Sequence, residues 1–121
     1  MRLTELEVAV RAAQAADEKK ADQVVILDMR KLTVVTDYFV ICSGETMTQV
    51  RAISRGIEEA LEQAGVPMRR REGGDDSRWV LLDFGGVVVH VFHHAEREYY
   101  DLERLWADAP RVAWSPVNVT P

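Results

Sequence analysis

Two apolar runs, Arg78–Phe84 and Val87–His93, flank the dipeptide Gly85-Gly86. Two glycines between two apolar runs are a strong signal for a two-residue β-hairpin turn. The pattern therefore predicts two adjacent antiparallel strands. Because side chains alternate between the two faces of a strand, one face of the first strand carries Trp79, Leu81 and Asp83 and the other carries Val80, Leu82 and Phe84.

The rest of the chain predicts three helices and three further strands. Thr4 with Glu7, and Thr46 with Gln49, form capping-box patterns at two helix starts. Helices are expected at about 5–21, 46–64 and 95–108, and strands at 23–28, 37–42 and 68–71. The last of these strands, MRRR, is too charged to be central and should lie at a sheet edge. Apolar spacing predicts that the third helix buries Tyr99, Leu102, Leu105 and Trp106, with Tyr100 off this stripe.

These elements predict an α/β fold, bordering on α+β, with a single mixed five-stranded sheet and three helices. The second helix is a crossover connection and the last two strands are a hairpin, so the sheet is expected to be mixed. We expect one domain over residues 1–108 and a mobile tail over 109–121, where prolines interrupt any period. The strands are apolar on both faces, and three modest helices cannot cover both. Some apolar sheet surface should therefore be available to a partner.

Charge and cysteine content narrow the functional class. The formal net charge of -5 argues against a surface dedicated to nucleic-acid phosphates and suits a basic protein partner. Cys42 is the only cysteine, which fits a reducing compartment. Neither a signal peptide nor a run of about 18 apolar residues is present, so we expect a cytoplasmic protein with no membrane span.

Two segments carry a resemblance to a known family. They are TDYFVICSG at Thr36–Gly44 and RWVLLDFGGVVVHVFHHAEREYYDLERLW at Arg78–Trp106. Together they resemble the ribosomal silencing factors, the RsfS or Iojap-like family, over roughly Leu6 to Trp106. The resemblance implies a nucleotidyltransferase-like topology and a translation repressor that is not an enzyme and needs no cofactor. It also implies binding to the large ribosomal subunit, through the basic ribosomal protein numbered fourteen on the intersubunit face. Binding there would block subunit joining. A homodimer is compatible with the resemblance.

Trp79 is the main candidate for the partner contact. A tryptophan in an apolar strand is often core, but tryptophan is also the residue type most enriched among interface hot spots. The resemblance favours the second reading, because it places the hairpin and its tryptophan at the ribosomal partner. We therefore expect an apolar centre with an acidic rim, and the candidate partner-binding residues are Trp79, Leu81, Asp83, Phe84, Asp37, Tyr100 and Asp101.

The alternative function is a nucleotidyltransferase-like enzyme or a metal-dependent hydrolase. Such a nucleotidyltransferase needs two carboxylates one residue apart on a strand. Gly85 follows Asp83 at that spacing and Phe39 follows Asp37, so neither strand offers the pair. His90, His93 and His94 lack a metal-ligand spacing, and we expect a buried, hydrogen-bonded His90 and no metal. Arg69–Arg71 is interpreted as a solvated edge, with little or no direct contact to nucleic acid.

Overall fold

The structure, a computed structural model, describes residues 2–115. The helices are α1 (Glu5–Glu18), α2 (Met47–Gln63), α3 (His94–Tyr100) and α4 (Leu102–Leu105). The strands are β1 (Asp22–Asp28), β2 (Tyr38–Gly44), β3 (Arg70–Glu72), β4 (Trp79–Asp83), β5 (Val87–His93) and β6 (Arg111–Val112).

All six strands form one mixed sheet in the order β3-β4-β5-β2-β1-β6. β2 and β5 are parallel, and every other neighbouring pair is antiparallel. The α/β class and the mixed sheet are confirmed, and the charged β3 lies at an edge as predicted. The expected number of five strands is wrong by one, because β6 was not predicted.

β6 lies within the segment predicted to be a mobile tail. Val112 pairs with Ile26 and Arg111 with Leu27 on β1. The Trp114 indole N–H also donates to the Val24 carbonyl at 3.1 Å. The sheet thus continues past residue 108, where the domain was predicted to end. The sequence did not predict β6 because a strand of two residues carries no periodic signal. The rest of the predicted tail, from residue 116, lies outside the described residues.

The β4–β5 hairpin is confirmed. The Phe84 N–H donates to the Val87 carbonyl at 2.9 Å, closing the turn. Gly85 has a φ of 90°, a left-handed conformation that a residue with a Cβ rarely adopts. The register places Trp79 opposite Phe92 and Leu81 opposite His90. The predicted alternation also holds, since Val80 and Leu82 are buried while Trp79, Leu81 and Asp83 are half-buried.

The two long helices cover one face of the sheet. Thr4 and Glu7 form the predicted reciprocal cap of α1, and Thr46 accepts from the Gln49 N–H at the start of α2. The apolar sides of both helices pack on the face that carries Val40, Val80, Leu82, Val89 and Val91, and this forms the main core. No helix within residues 2–115 combines the length and the apolar character that a membrane span requires.

The predicted third helix is broken at Asp101. This residue has a φ of 48° and a ψ of 54°, so α3 ends there and α4 restarts in a different direction. The predicted buried stripe is therefore wrong for two residues: Tyr99 is 79% exposed and Leu105 is 70% exposed. Leu102 and Trp106 do pack on the second face of the sheet, beside Leu27 and Ile41.

Candidate partner-binding site

The sheet face opposite α1 and α2 is only partly covered. On β2, β4 and β5 it carries Phe39, Trp79, Leu81, His90 and Phe92. Tyr100 on α3 and Trp106, the residue after α4, lie at its margins. We call this group of seven residues the aromatic face. Phe39, Trp79, Leu81 and Trp106 are half-buried, and Tyr100 is 45% exposed. Apolar sheet surface is thus left exposed in the part of the chain that the structure describes.

Trp79 is held on three sides. Its ring stacks on Phe92, with ring centroids 4.9 Å apart, and meets Tyr100 at 4.7 Å. Its indole N–H donates to His90 Nδ1 at 3.1 Å. Because its rotamer is fixed by these contacts, Trp79 presents a preorganised apolar edge at low entropic cost to binding.

A shallow depression lies beside Trp79 at the β3 edge. Its volume is about 220 Å³, and it is lined by Glu72, Gly73, Trp79 and Leu81. A concave spot beside a fixed aromatic ring is the arrangement in which partner side chains anchor at interfaces. The predicted apolar centre of Trp79 and Leu81 therefore coincides with a pocket.

His90 lies at the centre of the aromatic face and is 5% exposed. The rings of Phe39 and His90 lie nearly perpendicular, with planes 76° apart and centroids at 4.6 Å. Burial lowers the pKa of His90 to about 4, so the imidazole is neutral at neutral pH. The predicted buried, hydrogen-bonded His90 is confirmed, whereas its partner, Trp79, could not be read from the sequence.

The three predicted acidic residues are separated in the structure. Asp101 is exposed and follows Tyr100 at one end of the aromatic face. Asp83 lies four residues along β4 from Trp79, about 13 Å away at ordinary strand rise. Asp37 precedes β2 at the same end as Asp83, and its N–H donates to the Gly86 carbonyl at 2.9 Å. The acidic groups thus lie at two ends of the aromatic face and do not form a continuous rim.

Asp83 is less available as a charge than the sequence suggested. One carboxylate oxygen accepts from the Gly85 N–H at 2.8 Å, and the other lies 3.4 Å from Arg70 Nε. Both oxygens therefore already have partners within the hairpin region. Within residues 2–115, no ion pair is found for Asp37 or Asp101.

Phe84 does not belong to the aromatic face. It is 8% exposed and packs in the main core under α1 and α2, on the opposite side of β4 from Trp79. Strand alternation already predicted this orientation of the Phe84 side chain, and the nearby Gly85-Gly86 turn does not change the orientation. Its selection as a partner contact is therefore not supported by the structure.

A buried arginine fixes the helix break beside Tyr100. Arg97 is 6% exposed and donates to the carbonyls of Asp22 and Gln23 and to Ser43 Oγ. Its guanidinium also binds both carboxylate oxygens of Glu103 on α4, at 3.0 and 3.2 Å. Arg97 thus ties α3 and α4 to β1 and β2, and so positions Tyr100.

Arg97 and Phe39 were not selected from the sequence, although the structure places both at this site. No sequence signal identified Arg97, which looks like any helical arginine. Phe39, by contrast, could have been placed on the aromatic face, because it has the same strand parity as Asp37.

The arrangement gives no support to metal-dependent catalysis. Asp37 precedes β2 and Asp83 ends β4, and β5 lies between these strands, so the two backbones are about 10 Å apart. Among residues 2–115, no three His, Cys, Asp or Glu side chains come together as a metal site would require. Cys42 is buried, and burial raises the pKa of its thiol to about 12, so it is not a nucleophile at neutral pH.

The basic run on β3 is largely neutralised within the molecule. Arg71 binds Glu58 at 2.9 Å, and Arg70 lies between Glu72 and Asp83. Arg69 packs its side chain over Gly85. The interpretation of this run as a solvated, internally balanced edge is consistent with these contacts, and they leave little free positive charge for phosphate.

The chain is similar to proteins of one known family. A family model described as "Ribosomal silencing factor during starvation" matches residues 3–120. The chain is 50% identical to the ribosomal silencing factor RsfS of Bacillus subtilis over 99 residues, which cover 82% of this chain and 84% of that protein. It is 48% identical to the ribosomal silencing factor RsfS of Halalkalibacterium halodurans over 101 residues, 84% of this chain and 86% of that protein.

A solved structure extends the similarity to the fold. The crystal structure of a Chromobacterium violaceum protein superimposes with a TM-score of 0.83 at 32% identity, covering 98% of each chain. The resemblance drawn from the hairpin and the β2 segment is thus confirmed over nearly the whole length. This chain belongs to the ribosomal silencing factor family.

Proposed function

We propose that this chain is a ribosome-associated translation repressor that binds the large ribosomal subunit through the aromatic face. The observation that carries the proposal is the half-covered sheet face around Trp79, which combines a fixed tryptophan, an exposed tyrosine and an adjacent depression. Exposed apolar patches of this kind mark protein interfaces, and Trp and Tyr dominate their hot spots. Membership of the ribosomal silencing factor family supports a ribosomal partner.

The charge distribution favours a basic protein over RNA as the direct contact. The net charge is -5, and Arg70 and Arg71 on β3 are occupied by acidic neighbours. Asp37 and Asp101 remain at opposite ends of the aromatic face, where they would steer a basic partner. The partner we propose is the large-subunit ribosomal protein numbered fourteen, on the intersubunit face.

Repression by this route is steric. A standard interface of about 1,600 Å² would suffice for specific binding, and a domain held on the intersubunit face occludes the small subunit. No catalytic group or cofactor is needed. A homodimer through the sheet face or edge stays a prediction, and it would compete with ribosome binding if Trp79 lay in its interface.

Cosedimentation with separated ribosomal components tests the proposal. Purified protein is mixed with large subunits, small subunits or naked ribosomal RNA and then centrifuged through sucrose. We expect comigration with large subunits alone. Equal retention on naked RNA would contradict a contact led by protein, and absence from large subunits would refute the function itself.

Two neighbouring tyrosines provide a matched test of the location. The Tyr100 ring meets Trp79 at 4.7 Å, whereas Tyr99 is 79% exposed and its ring packs against Tyr100. Tyr100→Ala should weaken large-subunit binding about 30-fold, equivalent to about 2 kcal/mol, as expected for a hot-spot aromatic. Tyr99→Ala should leave binding nearly unchanged. Equal effects of the two substitutions would place the contact elsewhere.

A further inference from the structure

His90 holds a hydrogen-bond donor that nothing in the described chain uses. Its Nδ1 accepts the Trp79 indole N–H at 3.1 Å, so Nδ1 carries no proton. In a neutral imidazole the proton then resides on Nε2, which is a donor. Nε2 is the one buried side-chain nitrogen or oxygen within residues 2–115 that has no hydrogen-bond partner.

An unsatisfied buried donor is rare and destabilising in native proteins. The aromatic rings that contact His90 have no oxygen or nitrogen lone pair to offer it, and an aromatic π system is a weaker acceptor than oxygen. Moving the proton from Nε2 to Nδ1 does not remove this cost, because the Trp79 N–H would then lose its acceptor. The bond to Trp79 therefore fixes the donor on Nε2 in the free protein.

The position of Nε2 indicates where an acceptor could come from. His90 projects from β5 on the aromatic face, opposite Leu81 on β4 and Ile41 on β2. Within an imidazole, Nε2 is farther from the backbone than Nδ1, so the donor lies toward the open side of that face. Two of its neighbours on this face, Phe39 and Leu81, are only half-buried.

We propose that the bound partner supplies the missing acceptor, a backbone carbonyl oxygen that reaches His90 Nε2 when the side chains above it move aside. This inference rests on the proposed function, because it assigns the chemistry of one contact within that interface. The side chains that distinguish a basic protein, Lys and Arg, are donors only. A main-chain carbonyl is the acceptor that every such protein can offer.

Histidine-selective NMR tests the proposal directly. The full chain, labelled with ¹⁵N-histidine, is titrated with the purified basic ribosomal protein, and His90 is assigned from the His90→Asn spectrum. Free protein should show a protonated Nε2 and an unprotonated Nδ1. In the complex the Nε2 proton should move downfield and exchange more slowly with water. Complex formation with an unchanged Nε2 signal would overturn this inference and leave the proposed function intact, whereas no complex would refute the proposed function and this inference with it.

A pair of substitutions gives an independent test. In His90→Asn the side-chain oxygen can replace Nδ1 as the acceptor for Trp79, but no donor remains at the position of Nε2. Binding should weaken roughly 3- to 10-fold, the usual effect of one neutral hydrogen bond. His94→Asn, at an exposed histidine of α3, is the control and should bind as wild type. A folded His90→Asn variant with wild-type affinity would contradict the proposal, and if the variant does not fold, the wild-type titration decides.

Discussion

The buried His90 should make the stability of the protein fall in mild acid. Burial holds its pKa at about 4, against an ordinary value of 6.5. Between these pH values the unfolded chain binds a proton that the folded protein does not. Stability from this group is therefore complete above about pH 6.5 and is lost progressively as the pH falls to about 4. At 1.36 kcal/mol per pH unit, the loss is about 3 kcal/mol.

His90→Phe isolates this contribution, because phenylalanine fills a similar volume and does not titrate. The substitution leaves the Trp79 N–H without its acceptor, which costs about 1–3 kcal/mol at every pH. Asp28, whose pKa is lowered by its hydrogen bond to Arg30, contributes equally to both proteins and cancels in the difference. Urea denaturation of wild type and variant from pH 8 to pH 4 gives that difference directly. We expect the difference in free energy of unfolding to change by about 3 kcal/mol in favour of the variant between pH 7 and pH 4. If the unfolding free energies of the two proteins ran parallel with pH, a neutral, buried His90 would be refuted.

Two further substitutions separate core from interface. Phe84→Ala should lower the free energy of unfolding by about 3 kcal/mol, because Phe84 packs in the main core. The affinity of the folded variant for large subunits should stay unchanged. A stable variant that loses binding would show that Phe84 belongs to the interface. Arg97→Ala should lower the free energy of unfolding by about 3 kcal/mol, because it leaves two backbone carbonyls without their donor and Glu103 with only the longer contact to Arg111 at 3.7 Å. A variant as stable as wild type in urea unfolding would contradict the structural role of Arg97.

Local patterns predicted those parts of the fold that local chemistry determines. The hairpin follows from Gly85-Gly86 and its flanking runs, and the starts of α1 and α2 follow from the threonine caps. Alternation along β4 separated Trp79 from Val80 and Leu82 correctly. In each case the determining residues lie within a few positions of one another.

The features that were missed depend on contacts distant in sequence. The break at Asp101 has no glycine or proline to mark it, and it is held by Arg97, which reaches backbone carbonyls about 75 residues earlier in the chain. β6 exists only because the edge of β1 is available to Arg111 and Val112. Likewise, the hydrogen bond from Trp79 to His90 depends on the β4–β5 register. The burial of Phe84 depends on the packing of both long helices.

In the proposed function, Trp79 on the aromatic face anchors a basic protein of the large ribosomal subunit. The most direct measurement is the dissociation constant of wild type and Trp79→Ala for that purified ribosomal protein, with a thermal melt of both variants. The substitution removes the ring contacts with Phe92 and Tyr100, so some stability is lost, but a domain of ordinary stability remains folded at the assay temperature. We predict that binding weakens by about 2–4 kcal/mol, roughly 30- to 1,000-fold. A folded Trp79→Ala variant that binds as tightly as wild type would contradict the account.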